Sequence, residues 1–463
     1  MFYFARVGRQ SKVSGVAKKV RLVVRGYNAL SHALERLGRG RATFAESEQA
    51  LHDAALRAAT RDDAALRAAG NSAVRDDAAL RAAGGSRADN DTDTAGGFGD
   101  PGYLEGLRVL LGSLDKEAVP TPFGRMMLRK QLVNVLRNRL LVERQLAGQP
   151  AIEQQPVEKP IIILGLPRTG TTALHQLIGN DPGIQVLEYW LAAAPQPRPP
   201  REQWGHNRNY KEALSDLRGM YYLDPSLKAV HLMTADGAEE CRHLLQHCFA
   251  DDTFDCNSNV PSYSAWYDGV DMLPAYLQHR RCLQLIASTA PGRRWVLKYP
   301  VHMGNLDLLF ELYPDACVVQ THRDPARIVP SECSLVSGWR ALYETGVDRH
   351  EIGRRRMELW AARLEHTMEV RKGREDRFFD LNFREVLSDP VAAVRRVYDY
   401  FGLELAGEGE SRLGNWRQEN PHGKYGLHTY NAADYGLDDV MMHDRYAAYL
   451  EAFSVEREES LPL

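Results

Sequence analysis

The chain has 463 residues, 44% hydrophobic and 26% charged, a balance typical of a folded globular chain that excludes both wholesale disorder and a membrane bundle. Lys and Arg number 58 against 61 Asp and Glu, and the net charge of -3 excludes the uniformly basic surface that grips nucleic acid. Six cysteines without a C-x-x-C pair give neither a disulfide framework nor a zinc-site spacing, so a reducing, cytoplasmic setting is expected.

The near-neutral total conceals three unlike segments. Residues 1–44 carry ten Lys/Arg and one acid, a net of +9; residues 45–100 carry six Arg and eleven acids, a net of -5; residues 101–463 make up the remaining -7. From Lys18 to Leu37, apolar residues recur at helical spacing beside the basic ones, which predicts an amphipathic helix. Its basic face suits either a peripheral membrane contact or simple solvation. The start MFYFARVGRQSK lacks the apolar core of a secretory signal, and no apolar run reaches the length of a membrane span.

The heptapeptide DAALRAA then occurs at 53–59, 63–69 and 77–83. Its residues favour helix, but the unequal offsets fit neither a heptad nor a solenoid period. Residues 45–97 therefore read as a weakly helical, low-complexity linker, leaving one folded domain over 98–455. Within that domain, 103–115 and 124–148 have helical periodicity. Strands are predicted at Ile161–Leu166, Ile184–Leu187, Trp295–Lys298, Cys317–Thr321 and Arg377–Leu381, separated by helix-like stretches. That alternation predicts an α/β fold, a P-loop-like parallel sheet flanked by helices, with ligands at the carboxyl ends of the strands.

The strongest local signal is Gly165-Leu166-Pro167-Arg168-Thr169-Gly170-Thr171-Thr172, which follows the first strand and opens a helix. Such a turn points backbone N–H groups at an anion, and the helix N-terminus adds positive potential. A nucleotide phosphate is the natural guest. The ATP/GTP form of this loop places Lys directly after the second Gly, with the Ser/Thr next to it on Mg²⁺. Here that position is Thr171 and the cation sits inside the loop as Arg168, so a Mg²⁺-dependent kinase is disfavoured. A second signal closes the strand Cys317–Thr321, where Arg323 and Ser331 lie eight residues apart. With a helix beginning at Pro325, a guanidinium at the strand end and a hydroxyl two turns into the helix converge on one phosphate.

Together and in this order, these motifs resemble the sulfotransferases that use 3′-phosphoadenosine 5′-phosphosulfate (PAPS), in particular the bacterial-type branch with a G-x-P-R-[TS]-G-T-T loop. The resemblance runs from about Phe98 to Tyr449. It includes FGDPGYLEGLRVLLGSL at 98–114, VLEYW at 186–190, WVLKYPVHMGNLDLLFELYPDA at 295–316 and HTYNAADYGLD at 428–438. It implies that Gly165, Arg168, Thr169, Gly170, Thr171 and Thr172 hold the 5′-phosphosulfate. It implies equally that Arg323 and Ser331 hold the 3′-phosphate of PAPS, or of its product PAP, without a metal. Lys424, in Gly423-Lys424, stands roughly where cytosolic members carry a further phosphate clamp.

Sulfuryl transfer needs a base for the acceptor hydroxyl and positive groups for the developing charge. His302, four residues after Lys298 and 21 before Arg323, resembles the family's catalytic base, with Lys298 near the sulfuryl oxygens, although its spacing from Lys298 is two residues longer. Glu188 is the second candidate, as the base or as a group orienting His302. His243 and His247, spaced i and i+4, are only half a metal site, and no metal is expected. The expected reaction moves a sulfuryl group to a hydroxyl, or less readily an amine, of a small-molecule, lipid or glycan acceptor, with no nucleic acid as partner. A P-loop small-molecule kinase and a non-catalytic PAP-binding scaffold are the alternatives. Intact Arg168, Arg323, Ser331, His302 and Glu188 speak against the scaffold.

Overall fold

The structure, a computed structural model, describes Asn28, Phe44 and residues 48–68, 97–223, 227–230, 232–405, 407–420 and 430–458. The expected amphipathic helix over 18–37, Asn28 apart, and Lys424 lie outside the described residues.

Helix α1 (Glu48–Ala68) differs from the linker expected over this stretch. It packs along α3, and Leu51, Ala55 and Ala59, one residue in four, are buried in the main core together with Phe44. His52 fixes the seat, with Nε2 2.9 Å from the Tyr103 hydroxyl and its ring edge-on to Phe98. Apolar spacing on one helical face outweighs low complexity here. Helices α2 (Tyr103–Lys116) and α3 (Pro122–Gly148) follow. The second starts where Pro122 occupies the first turn and the Thr121 hydroxyl accepts from the Gly124 N–H at 2.9 Å.

Strand β1 (Ile161–Gly165) leads into α4 (Thr171–Ile178), and β2 (Ile184–Val186) comes next. Helix α5 (Leu273–Ala287) precedes β3 (Arg294–Lys298). Strand β4 (Cys317–His322) feeds α6 (Pro325–Tyr343) and α7 (Arg349–Arg371); β5 (Phe378–Asn382) and α8 (Pro390–Phe401) complete the unit. The five strands form one parallel sheet in the order β2-β3-β1-β4-β5, as the alternation of strands and helices implied. β1 and β4 are buried at every position, which explains the apolar run of β1 and the Cys317-Val318-Val319 start of β4. Because side chains alternate across a strand, Ile161 and Ile163 pack on α4 and α8, while Ile162 and Leu164 face the larger core with the N-terminal helices.

Candidate functional site

The carboxyl ends of β1, β3 and β4 open into a cavity of about 1660 Å³. At β1 the chain turns through Gly165 (φ +136) and Gly170 (φ +87), left-handed conformations that explain why glycine brackets the loop. Arg168 also has positive φ, at 71. The first turn of α4 is thereby aimed at the cavity, and Pro167, Arg168, Gly170, Thr171, Thr172 and Ala173 line it. Thr169 has a different position from its neighbours. It is fully buried, and its Oγ1 donates to the Leu166 carbonyl at 2.7 Å and lies 2.6 Å from the Thr321 hydroxyl. Its side chain locks the loop onto β4 and is absent from the lining.

At β4, Asp324 caps α6 through its carboxylate, which accepts from the Ala326 N–H at 3.0 Å, with Pro325 in the first turn. This sends Arg323 into the cavity and brings Ser331, buried two turns on, to the same wall. The Arg323 guanidinium lies 4.1 Å over the Phe383 ring and donates to the Arg168 carbonyl at 3.2 Å. Burial and the like charge of Arg323 hold the Arg168 guanidinium below its ordinary value. Two cations drawn this close form an anion site. One anion is already there: Glu458, near the C-terminus, accepts from Arg323 Nε at 2.9 Å and Nη2 at 3.0 Å and lines the cavity itself.

At β3, Lys298 is buried, with Nζ 3.1 Å from Thr172 Oγ1 and in an ion pair with Glu240. The two residues proposed from sequence as bases are elsewhere. Among the described residues, the lining includes neither Glu188 nor His302. Glu188 forms an ion pair at 3.0 Å with Arg198, which also donates to Gln185 and the Val186 carbonyl. Burial raises its carboxyl against that pairing. His302 lies behind the wall, fully buried, with Nδ1 2.8 Å from the Tyr276 hydroxyl and the Tyr299 ring edge-on at 5.6 Å. The turn Pro300–Asn305 winds as a 3-10 helix, so Pro300 and Val301 reach the cavity and His302 faces the core. Burial, then the neighbouring His279, pulls its imidazole well below the usual value, so the ring is neutral but out of reach.

Sequence reasoning missed three lining groups. Glu240 faces the α4 N-terminus through Lys298. His243 lines the cavity with Nε2 unpartnered among the described residues, and burial lowers its imidazole to about 4. Glu332, next to Ser331, is raised by burial to about 7. No motif marks them, although Glu240 and His243 fall within EECRHLLQHC, whose histidine spacing points only to half a metal site. Met127, Val135, Leu217, Met220, Met233, Val336, Trp339 and Leu342 also line the cavity and give it a large apolar surface.

Two cations, a helix N-terminus and a lysine at the ends of three parallel strands form a site for a phosphate-bearing donor, and the chain's relatives agree. A family model described as "Sulfotransferase family" matches residues 160–407, more than half of the chain. A curated relative, the omega-hydroxy-beta-dihydromenaquinone-9 sulfotransferase Stf3 of Mycobacterium tuberculosis, is 27% identical over 294 residues, 61% of this chain and 72% of the relative. Among solved structures, sulfotransferase STF1 from Mycobacterium tuberculosis H37Rv is similar at 37% identity and a TM-score of 0.69, over 76% of this chain and 94% of that one. Sulfotransferase STF9 from Mycobacterium avium is similar at 29% identity and a TM-score of 0.72, over 81% of this chain and the whole of the other. The loop after β1 and the basic end of the cavity thus sit on a scaffold shared with these enzymes, and the chain belongs to the sulfotransferase family as a PAPS-dependent enzyme.

Proposed function

We propose that this sulfotransferase moves the sulfuryl group of PAPS to a hydroxyl on a long, apolar, lipid-like acceptor. The observation that carries this reading is one cavity lined both by Arg168, Arg323 and Lys298 and by many apolar side chains; in this reading donor and acceptor meet near Thr172 and Lys298. PAPS supplies an activated sulfur whose leaving group is a stable phosphate. In this reading Arg168 and the N–H groups of Gly170, Thr171 and Thr172 hold the 5′ side of the donor. Arg323 and Ser331 hold its 3′-phosphate, and Lys298 meets charge developing on the sulfuryl and bridging oxygens. No residue in this set requires a metal. Glu240, the carboxylate held beside Lys298 on the cavity wall, takes the acceptor's proton in place of His302 and Glu188.

The Stf3 relative, named for a hydroxylated menaquinone, supports a lipid-like acceptor. So does the apolar lining, which a sugar would leave undercontacted. No described helix is long and apolar enough to cross a membrane, so the acceptor would be taken from a membrane surface or a carrier. The test is labelled-sulfate transfer from PAPS to long-chain and isoprenoid alcohols, phenols and sugars. Transfer to the apolar alcohols is expected; turnover confined to sugars would overturn the acceptor reading.

A further inference from the structure

Behind the wall that carries Lys298 and Glu240 lies a second cluster that the reaction does not use. Cys241, His279 and His302 are each fully buried, and one donor atom of each lies within 4.8 Å of the other two. Both imidazoles are held through Nδ1: His302 is 2.8 Å from the Tyr276 hydroxyl and His279 is 3.4 Å from that of Tyr313. Both Nε2 atoms are without a hydrogen-bond partner among the described residues. A buried polar atom with no partner is costly, and two of them beside a thiol in one small space require an explanation. Imidazoles fixed through one nitrogen by a hydroxyl, with the other nitrogen open, are built as metal ligands are.

We propose that Cys241, His279 and His302 form a structural site for a closed-shell d¹⁰ metal ion with affinity for thiolate and imidazole, Zn²⁺ or Cu⁺. Thiolate and neutral imidazole are the donors such ions select. With the ion on Nε2, each Nδ1–H donates to its tyrosine oxygen, so every ring nitrogen is satisfied. Among described His, Cys, Asp and Glu residues, the cluster has three members. Three donors with one thiolate neutralise a monovalent ion, whereas Zn²⁺ would add a water or hydroxide as its fourth ligand. The ligands come from three places: the segment directly after Glu240, helix α5, and the turn directly after β3. The Cys241 N–H already donates to the Lys298 carbonyl at 3.2 Å. The ion would pin the Glu240 segment to the end of β3 and so fix the Glu240–Lys298 pair from behind. This inference stands whatever the acceptor is.

The test uses the full chain purified under reducing conditions without added chelator. Elemental analysis should find about one Zn²⁺ or Cu⁺ per chain, and the identity of that metal decides between the two ions. After stripping, Co²⁺ should restore a thiolate-to-cobalt charge-transfer band in the near ultraviolet if the site takes divalent ions, or Cu⁺ should bind stoichiometrically against a chromogenic competitor. Cys241→Ala should abolish these signals. Tyr276→Phe, which removes only the supporting hydroxyl, should weaken metal affinity by about 10- to 100-fold while circular dichroism stays unchanged. Metal below about a tenth of an equivalent, with neither a charge-transfer band nor Cu⁺ binding, overturns the proposal. Equal binding by a folded Cys241→Ala chain does the same.

Discussion

Replacing Glu458 by glutamine keeps the shape of the side chain but removes the charge that now holds Arg323. The wild-type contact consists of two hydrogen bonds, 2.9 and 3.0 Å, between side chains 22% and 23% exposed. A bidentate, charge-assisted pair at that exposure is worth about 1–1.5 kcal/mol, well short of a buried pair because water still screens it. If Arg323 holds the 3′-phosphate, the donor must displace Glu458 before it binds, and that energy is subtracted from its affinity. At about 1.4 kcal/mol per factor of ten, Glu458→Gln should bind PAP about five- to tenfold more tightly than wild type by titration calorimetry. The gain should vanish in an Arg323→Ala background, where there is no guanidinium to compete for. Equal affinity in wild type and Glu458→Gln, with both folded, would refute the displacement argument and with it the placing of the 3′-phosphate on Arg323.

Arg323→Ala alone should weaken PAP by about 10- to 100-fold, the scale of a charge-assisted contact to phosphate; unchanged affinity by calorimetry removes Arg323 from the site. Glu240→Gln should lower kcat by about 10²–10⁴-fold with PAP affinity retained, and a near-normal rate would pass the base role to another lining group such as His243, whose Nε2 has no hydrogen-bond partner among the described residues. Glu332 is raised from 4.5 to about 7 in the fold, so between these values the folded chain binds more protons than the unfolded one. Stability from this group is therefore present below about pH 4.5 and is lost, on the order of 3 kcal/mol, as pH rises through 7. The buried histidines, lowered in the fold, raise stability with pH over the lower part of the same range, so the contribution is read as a difference. In chemical denaturation between pH 5 and 8, wild type should lose stability relative to Glu332→Gln, and identical pH dependence in the two rejects the assignment. Leu51→Ala should cost about 2–4 kcal/mol in the same assay, and deletion of residues 1–97 should lower the melting temperature or aggregate the chain, because both uncover the face on which α1 packs. A fully stable deletion would show that α1 contributes nothing to the core.

The sheet was legible because β1 is an unbroken apolar run and β4 opens on Cys317-Val318-Val319, a pattern that burial on both faces requires. The loop after β1 and the Arg323–Ser331 spacing were legible because each is local: a strand end, a turn and a helix start. The proposed base was not legible. Glu240 acquires its position only where a loop meets the end of β3 through Lys298, a contact between residues 58 apart in the chain. His302 misled because its distance along the chain from Lys298 says nothing of rotation. The 3-10 winding of Pro300–Asn305 turns the ring inward. The inward turn of the Thr169 side chain was hidden in the same way, its hydroxyl being engaged by Leu166 and Thr321. The N-terminal helix was hidden by its own repetition, which drew attention to the shared heptapeptide and away from its flanks.

Those flanks make the three copies unequal. The seat on α3 takes Leu51, two residues before the first copy, and then Ala55 and Ala59 within it. Two residues before the second and third copies stand Arg61 and Arg75. Sliding either copy into the seat would place a guanidinium where Leu51 is now fully buried in the apolar core. Docking is thus keyed by a residue outside the duplicated unit, and later copies cannot compete for it. A gene that gains or loses such copies by replication slippage would change the length of this chain without shifting the helix that closes its core.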